Sequence, residues 1–226
     1  MSTTSLLFSI IQAVKPPALV ITGKEGELRV FGTNVVDVHI SASGSGISSR
    51  LNRTVEVRTV EFQKVLKECR LFSDIQFSRS SQAAKLCIAQ DAYKLQVECA
   101  VKDAEEIKPP ALNAEIIVDL DTRLLRRVVT KDAHSIEIRL DPESVRIKVN
   151  GVIKVEAHQK SANYIRKKEK SHVFIIPAEG FLIVSKICHL EPNRVLMGVV
   201  NSVSIFYLYF AEATVICYAA GTLLQV

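Results

Sequence analysis

The sequence lacks the residue patterns by which most enzymes and metal proteins are recognised. No HExxH motif or other paired spacing connects its five histidines, which are His39, His134, His158, His172 and His189. No G-x-S-x-G, Walker or dinucleotide-binding glycine pattern occurs, and Gly44 and Gly46 lie in a serine-rich stretch that opens no helix. The sequence therefore predicts a protein that is not an enzyme and that needs no metal and no cofactor.

Paired cysteines are also missing. The five cysteines are odd in number, form no CxxC spacing and lie in apolar runs, at positions 69, 87, 99, 188 and 217. A thiol in such a run behaves as a small hydrophobic side chain. This pattern predicts a reducing compartment, without disulfides and without zinc.

Signals for a membrane are absent as well. The start of the chain, MSTTSLLFSIIQAV, has neither the basic leader nor the cleavage site of a signal peptide, and its apolar run is too short to cross a bilayer. We expect an amphipathic helix there. The apolar stretch from Val195 to Leu224 contains Asn201, Ser202 and Glu212 and is rich in β-branched and aromatic residues, which predicts strands.

The chain does contain enough apolar residues to form a substantial core, and it carries a small excess of positive charge. Of its 226 residues, 48% are hydrophobic, and the formal net charge is +5. An excess of this size favours a polyanionic partner without diagnosing one.

Periodicity predicts two similar halves, with domains at residues 1–102 and 114–226 and an extended connector, KDAEEIKPPALN, that includes residues 103–113. In the first half we expect helices at Ser5–Lys15 and Glu61–Arg70, and in the second at 121–133 and 179–190. The starts of these helices lie 56 residues apart in one half and 58 in the other, which indicates a duplicated unit. Strands fill most of the remainder. Ser41–Ser49 and Lys160–Lys170 are predicted to be loops, the second strongly cationic.

The helices divide their charges from their apolar residues. In TRLLRRVVTKDA the cations recur at helical spacing on one arc, opposite Leu124, Leu125, Val128 and Val129. The same division recurs in the helix after residue 60 and, less cleanly, in the helix after residue 178. A solvated helix face is the ordinary explanation of one such pattern, whereas its recurrence favours a surface for a polyanion. The candidate phosphate-facing residues are Lys64, Lys67, Arg70, Arg123, Arg126, Arg127, Lys131 and Lys186.

Several segments together resemble the DNA sliding clamps related to proliferating cell nuclear antigen. They are TVEVRTVEFQKVLKECR with DIQFSRS, AEIIVDLDTRLLRRVVTKDAHSIEIRLDPESVRIKVNG, and HVFIIPAEGFLIVSKICHL with SIFYLYFAEATVICYAAG. The resemblance is one of order and local pattern over nearly the whole chain. It implies an α+β fold of two similar clamp domains in a ring, with helices on the inner face and β-sheets on the outer face.

The resemblance also implies a function and partners. A clamp encircles duplex DNA without reading its sequence, acts as a polymerase processivity factor, and is loaded by a separate clamp loader. Its subunits pair by edge strands, here expected at Tyr93–Val101 and Val152–Gln159, usually as a homotrimer. Replication and repair proteins dock by a peptide motif in a groove beneath the connector. Carried over to this chain, that groove involves Val30, Asn34, Ile107, Leu112, Tyr218, Ala220 and Gly221.

Some features depart from the usual clamp pattern and keep other interpretations open. The chain is basic where replication clamps are acidic, its connector is short, and no strand precedes its first helix. One alternative is a subunit of the heterotrimeric DNA-damage checkpoint clamp. A second is a protein-interaction or viral structural module that does not bind DNA. The expected location is the nucleus, or the cytoplasm for an archaeal or viral protein.

Overall fold

The fold is taken from a computed structural model, which describes residues 2–24, 27–43, 47–51, 53–69, 75–79, 85–90, 95–109, 114, 116–128, 132–141, 144–158, 162–166, 171–200 and 203–225. The chain forms two compact units. The first comprises Met1–Pro109 with Glu212–Thr214, and the second Pro110–Ala211 with Val215–Val226. None of the helices in the described ranges is both long and apolar enough to cross a membrane.

In the described part of the first unit there are two helices and nine strands. Its elements are α1 (Thr3–Val14), β1 (Ala18–Lys24), β2 (Glu27–Thr33), β3 (Asp37–Ser43), β4 (Ile47–Arg50), β5 (Val55–Arg58), α2 (Thr59–Cys69), β6 (Ile75–Arg79), β7 (Lys85–Gln90), β8 (Leu95–Ala100) and β9 (Lys102–Asp103). One sheet has the order β3-β2-β1-β5-β9, and a second has the order β4-β6-β7-β8.

The second unit repeats this plan with one additional strand at its start. Its elements are β10 (Ile116–Leu120), α3 (Thr122–Arg127), β11 (Ser135–Asp141), β12 (Ser144–Val149), β13 (Val152–His158), β14 (Ala162–Arg166), β15 (His172–Pro177), α4 (Ala178–Cys188), β16 (Arg194–Val200), β17 (Val203–Tyr209), β18 (Ala213–Ala220) and β19 (Thr222–Gln225). One sheet has the order β13-β12-β11-β15-β19, and the other includes β14-β10-β16-β17-β18 in sequence.

Local chemistry explains where α1 begins and ends. The hydroxyl of Ser2 accepts a hydrogen bond from the backbone N–H of Ser5 at 3.3 Å, which caps the helix start. At the other end Lys15 adopts a left-handed conformation with φ 52°, and its N–H donates to the carbonyl of Ile11. Pro16 and Pro17 follow and prevent continuation. The helix buries Leu6, Leu7, Ile10, Ile11 and Val14 against its unit.

The strands alternate between buried and more exposed residues, as expected when one face of an antiparallel sheet covers a core. In β11, for example, Ile136, Ile138 and Leu140 are at most 2% exposed, while the residues between them are half-buried. The core lies between sheet and helices in each unit. Phe62 of α2 and Phe181 of α4, each the fourth residue of its helix, are completely buried.

The structure corrects four predictions about the elements. Helix α3 ends at Arg127, because Val128 is already extended at φ −74° and ψ 100°, so the helix expected over 121–133 is shorter. The predicted loop Ser41–Ser49 overlaps the end of β3 and most of β4, and the predicted loop Lys160–Lys170 contains β14. The predicted connector does not begin as a free segment. Lys102 and Asp103 form β9, which pairs with β5.

The repeat is closer in the structure than in the sequence-based assignment. The two helices of each unit start 56 residues apart, at Thr3 and Thr59 and at Thr122 and Ala178. In the second unit β10 lies between β14 and β16 and is antiparallel to both. The first unit has no strand at that place among its described residues, and the corresponding β4 and β6 pair directly and in parallel. Among the elements that the structure describes, the two units therefore differ by this one strand.

Candidate nucleic-acid interface

Helix α2 carries two of the predicted cations on its exposed side. Lys64 and Lys67 are exposed, while Phe62, Val65 and Leu66 are buried beneath them. Glu68 and Val60 are exposed on the same helix, and Val60 is 64% exposed. The predicted Arg70 lies outside the described residues. The first unit thus presents a mixed helix face, on which two lysines are exposed beside Glu68 while Glu61 is half-buried.

In the second unit the three arginines of α3 have different surroundings. Arg123 and Arg127 are exposed, whereas the side chain of Arg126 is only 23% exposed. The predicted Lys131 lies outside the described residues. Opposite the arginines, Leu125 and Val128 are buried, at 1% and 3% exposure. In this short helix the arginines and the buried apolar residues therefore lie on opposite faces as predicted, apart from Arg126.

Arg126 contacts α4 instead of solvent. Its Nε donates to the carbonyl oxygen of Cys188 at 2.8 Å, and its Nη1 lies 3.4 Å from Oε1 of Glu191. The Ser185 hydroxyl donates in the opposite direction, to the carbonyl of Leu125 at 3.3 Å. Each helix therefore donates a side-chain hydrogen bond to a carbonyl near the end of the other. Arg126 holds α3 and α4 together, which limits its freedom to contact a ligand.

Helix α4 shows only a narrow stripe to solvent. Within it Glu179, Leu182 and Lys186 are exposed, and they recur at spacings of three and four residues on one face. Lys186 occupies the place that Lys67 has in α2, two residues before the terminal cysteine of each helix. The structure therefore exposes Lys64, Lys67, Arg123, Arg127 and Lys186 among the eight predicted cations.

An open cleft lies at the junction between β10 and α3. Its volume is about 500 Å³, and its lining includes Asp119, Asp121, Arg123, Asn193 and Arg194. Two ion pairs stand in it: Arg123 Nη2 lies 2.6 Å from Asp121, and Arg194 Nε lies 2.8 Å from Asp119. Hydrogen bonding to Arg123 holds the pKa of the Asp121 carboxyl below its usual value. The sequence interpretation missed this cleft, since Asp119 and Arg194 are 75 residues apart.

Three of the residues assigned to a partner-binding groove lie in the first unit, and two of them have structural contacts. Val30 is 1% exposed, so its side chain belongs to the core of β2 and offers no surface, contrary to its predicted role. Asn34 donates from Nδ2 to the carbonyls of Val14 and Lys15, at 3.0 and 3.2 Å, and so caps the end of α1. Ile107 is 43% exposed and remains accessible. Leu112 lies outside the described residues.

Three further groove residues lie in the second unit. Tyr218 is 7% exposed, which places most of its side chain in the interior. Ala220 is exposed, and Gly221 is half-buried between β18 and β19. A methyl group at position 221 would stand 2.6 Å from the carbonyl oxygen of Ile175, so glycine is required there by packing. Asn34, Ile107 and Ala220 are thus the exposed groove residues among those described, and Asn34 is hydrogen-bonded at the end of α1.

The buried titratable groups are not poised for chemistry. Burial raises the pKa of the Cys188 thiol to about 12 and also raises the pKa of Cys217. Such thiols stay protonated and unreactive at neutral pH. Burial lowers the pKa of His39, which packs on Phe31 with ring centroids 4.6 Å apart. Within the described ranges no group of His, Cys, Asp and Glu is arranged to hold a metal ion.

Comparison with known proteins identifies the fold. No protein-family model and no curated protein sequence matches the chain. Solved structures do match. A crystal structure of proliferating cellular nuclear antigen from Entamoeba histolytica is 13% identical, with a TM-score of 0.71 over 97% of this chain and 96% of that one. The PCNA2–PCNA3 complex from Sulfolobus tokodaii is 12% identical, with a TM-score of 0.73 over 96% and 94%. This chain therefore has the fold of the sliding clamps of the proliferating cell nuclear antigen type, in a highly divergent sequence.

Proposed function

We propose that this protein is a DNA sliding clamp subunit, which encircles duplex DNA in a ring, acts as a polymerase processivity factor, and serves as a docking platform for replication and repair proteins. The observation that carries the proposal is the coincidence of the clamp fold with exposed cations on its helices. Lys64, Lys67, Arg123, Arg127 and Lys186 all lie on α2, α3 or α4.

The chemistry of these side chains suits sliding. Phosphate contacts made by exposed lysine and arginine carry no sequence information and weaken as salt rises. A clamp needs contacts of that kind, because base-specific contacts would arrest it. We propose that the inner wall of the ring consists of these helices, and that Arg70 and Lys131 extend it.

Ring closure is assigned to two edge strands. Within the described residues β8 pairs only with β7, and β13 pairs only with β12. Unpaired strands of this length are prone to aggregate unless another strand covers them. We propose that β8 of one subunit pairs with β13 of the next, a head-to-tail contact that closes a ring when the rotation is suitable. The domains are residues 1–102 and 114–226, joined by the connector 103–113.

The remaining parts of the proposal follow from the clamp function. The protein would be a scaffold and not an enzyme, loaded by a separate clamp loader, without cofactor or membrane. Ile107 and Ala220 are the exposed apolar groove residues among those described, and we propose that they contact a docking peptide. The compartment would be the nucleus, or the cytoplasm if the protein is archaeal or viral.

A second candidate is a subunit that forms a ring only with related chains, such as a DNA-damage checkpoint clamp. One of the similar structures is a complex of two different clamp chains, PCNA2 and PCNA3. The net charge of +5 also departs from the acidic character of replication clamps. Both candidates share the same DNA-facing helices.

Charge reversal on the helices tests the proposal. We expect Lys67→Glu, Arg127→Glu and Lys186→Glu together to abolish binding to duplex DNA and processive synthesis, because three exposed phosphate contacts become repulsive. The measurements are fluorescence anisotropy with a labelled duplex and primer extension with the cognate polymerase.

The matched control reverses three exposed cations of the first unit outside the helices, Arg53, Lys102 and Lys108. Both triple variants change the net charge by the same amount. Equal loss of DNA binding in the two variants would contradict the assignment of the helices to the DNA-facing wall. Unchanged DNA binding in the helix variant would show that DNA is not contacted through these helices.

A further inference from the structure

The arrangement around Asp121 indicates a restraint on one of the predicted DNA contacts. Arg123 lies on the cationic side of α3 with a side chain that is 77% exposed, so by exposure alone it should be a free phosphate ligand. It is instead paired with Asp121 through two donors. Its Nε lies 3.1 and 3.0 Å from the two carboxylate oxygens, and its Nη2 lies 2.6 Å from Oδ2.

Asp121 is itself held in place. It is the N-cap residue of α3, and its Oδ1 accepts the backbone N–H of Arg123 at 2.9 Å. A carboxylate fixed by a backbone hydrogen bond loses little additional freedom when it also binds a guanidinium. The low pKa of Asp121 keeps it ionised throughout the neutral range, so a change of pH near 7 does not release Arg123. A DNA phosphate must therefore compete with the carboxylate for the guanidinium.

The neighbouring pair in the cleft has the same form. Asp119 lies two residues before Asp121, at the end of β10, and binds Arg194 at 2.8 Å. The cleft therefore contains two arginines and two aspartates, whose formal charges cancel. An arginine in a neutral pair adds little to the attraction of DNA, because phosphate binding must first displace the carboxylate.

We infer that Asp121 restrains Arg123, so that this arginine contacts a DNA phosphate only weakly and the affinity of the protein for DNA stays low. The inference rests on the proposed DNA-binding function and assigns Asp121 as a positioning residue within it. Its consequence is functional, since fewer or weaker phosphate contacts lower the resistance to sliding.

Asp121→Asn tests this restraint without removing the helix cap. Asparagine is as good an N-cap as aspartate, and its carbonyl oxygen can still accept the N–H of Arg123. The loss of charge frees the guanidinium. We expect tighter binding to a short labelled DNA duplex, by roughly five- to ten-fold at 0.1 M salt, and a slope of log K against log salt steeper by about 0.9.

A double-mutant cycle shows whether the gain comes from Arg123. We expect Arg123→Gln alone to weaken DNA binding less than Arg127→Gln does, and to cancel the whole gain when combined with Asp121→Asn. Glu68→Gln on α2 is the control, because it removes one negative charge from another exposed helix position. Any gain from that control should persist in the presence of Arg123→Gln. Thermal unfolding midpoints of all variants should agree within a few degrees, which confirms that the fold is kept.

The outcomes separate the inference from the function on which it rests. If the wild-type protein binds DNA and Arg127→Gln weakens it while Asp121→Asn changes nothing, the restraint is refuted and the clamp proposal stands. A loss from Arg123→Gln as large as that from Arg127→Gln also refutes the restraint, because Arg123 would already be in full contact. If neither the wild-type protein nor any variant binds the duplex at 50 mM salt, both proposals fail.

Discussion

At the scale of single residues, the arginines of α3 show that one amphipathic pattern can contain three roles. Arg127 is exposed, Arg123 is paired with the helix cap, and Arg126 binds the carbonyl of Cys188 in α4. All three fall on the same arc of the sequence pattern. The difference arises because Arg123 lies two residues after the cap residue Asp121, whereas Arg126 contacts α4.

Arg126→Ala is expected to destabilise the protein, whereas Arg127→Ala is not. The first substitution removes a charged donor from the Cys188 carbonyl and should lower the free energy of unfolding by about 1–3 kcal/mol. The second removes an exposed side chain and should change it by less than about 0.5 kcal/mol. Urea denaturation monitored by circular dichroism compares the two variants. Equal changes would show that the contact of Arg126 with α4 does not contribute to stability.

At the scale of elements, β4 is the clearest example of a strand that the structure contains and the sequence did not predict. Its sequence, ISSR, follows a Ser/Gly-rich stretch and has no alternating apolar pattern, so sequence reasoning assigned it to a loop. It becomes a strand because β6 offers a parallel partner, from Ile75 to Ser78. Strand propensity depends strongly on such context, since packing against neighbours supplies most of it. The same reason applies to β14, which pairs with β10.

Gly23 and Ser49 provide a test of the place of β4. A Cβ at position 23 in β1 would lie 1.6 Å from Oγ and 2.7 Å from Cβ of Ser49, so the two strands approach too closely for a side chain. Gly23→Ala should therefore cost about 1–3 kcal/mol of stability. Adding Ser49→Gly removes both clashing atoms, although glycine in a strand itself costs roughly 1 kcal/mol. The double variant should therefore lose less stability than the sum of the losses in the two single variants.

Gly151→Ala is the control for this pair. Gly151 has φ 79°, and no atom lies within 4 Å of the place that a methyl group would take, so alanine there is strained by conformation and not by contact. Ser49→Gly should not improve it. Thermal unfolding of the five variants decides the matter, and the absence of any recovery in the Gly23→Ala, Ser49→Gly double variant would mean that β4 does not lie against β1 at this point.

At the scale of the whole molecule, the question is how many copies assemble. The two strands predicted as edges, β8 and β13, do lie at the ends of their sheets in the described part of the chain. A contact between β8 of one copy and β13 of another would join two different edges, which suits a head-to-tail arrangement. The comparisons establish the clamp fold of the chain, while the ring remains our proposal.

Light scattering on the purified chain should give about three times its mass of 25.0 kDa if the ring is homomeric. Val152→Lys, at the 56% exposed start of β13, should reduce assembly, because lysine on an edge strand opposes pairing. Val35→Lys is the control, since Val35 is 41% exposed but lies outside both edge strands. A monomer that assembles only with related chains would favour the heteromeric candidate, and equal behaviour of the two variants would exclude β13 from the interface.

The sequence by itself determined the α+β class, the repeat of two similar units, three of the four helices nearly to their ends, and the cations that α2 and α4 expose. These features depend on periodicity and on local signals such as Pro16 and Pro17, which act within a few residues. Even the N-cap role of Asp121 was open to sequence reasoning, because aspartate before a helix is a common cap.

The tertiary structure alone decided the features that join distant parts of the chain. It pairs β4 with β6, brings Arg194 to Asp119, and places Arg126 on α4 and Val30 in the core. None of these has a local signal, since each depends on a partner that is tens of residues away or on how deeply a strand is buried. Side-chain type and spacing show which charged residues can lie on the surface, whereas packing determines which of them are free to contact a ligand.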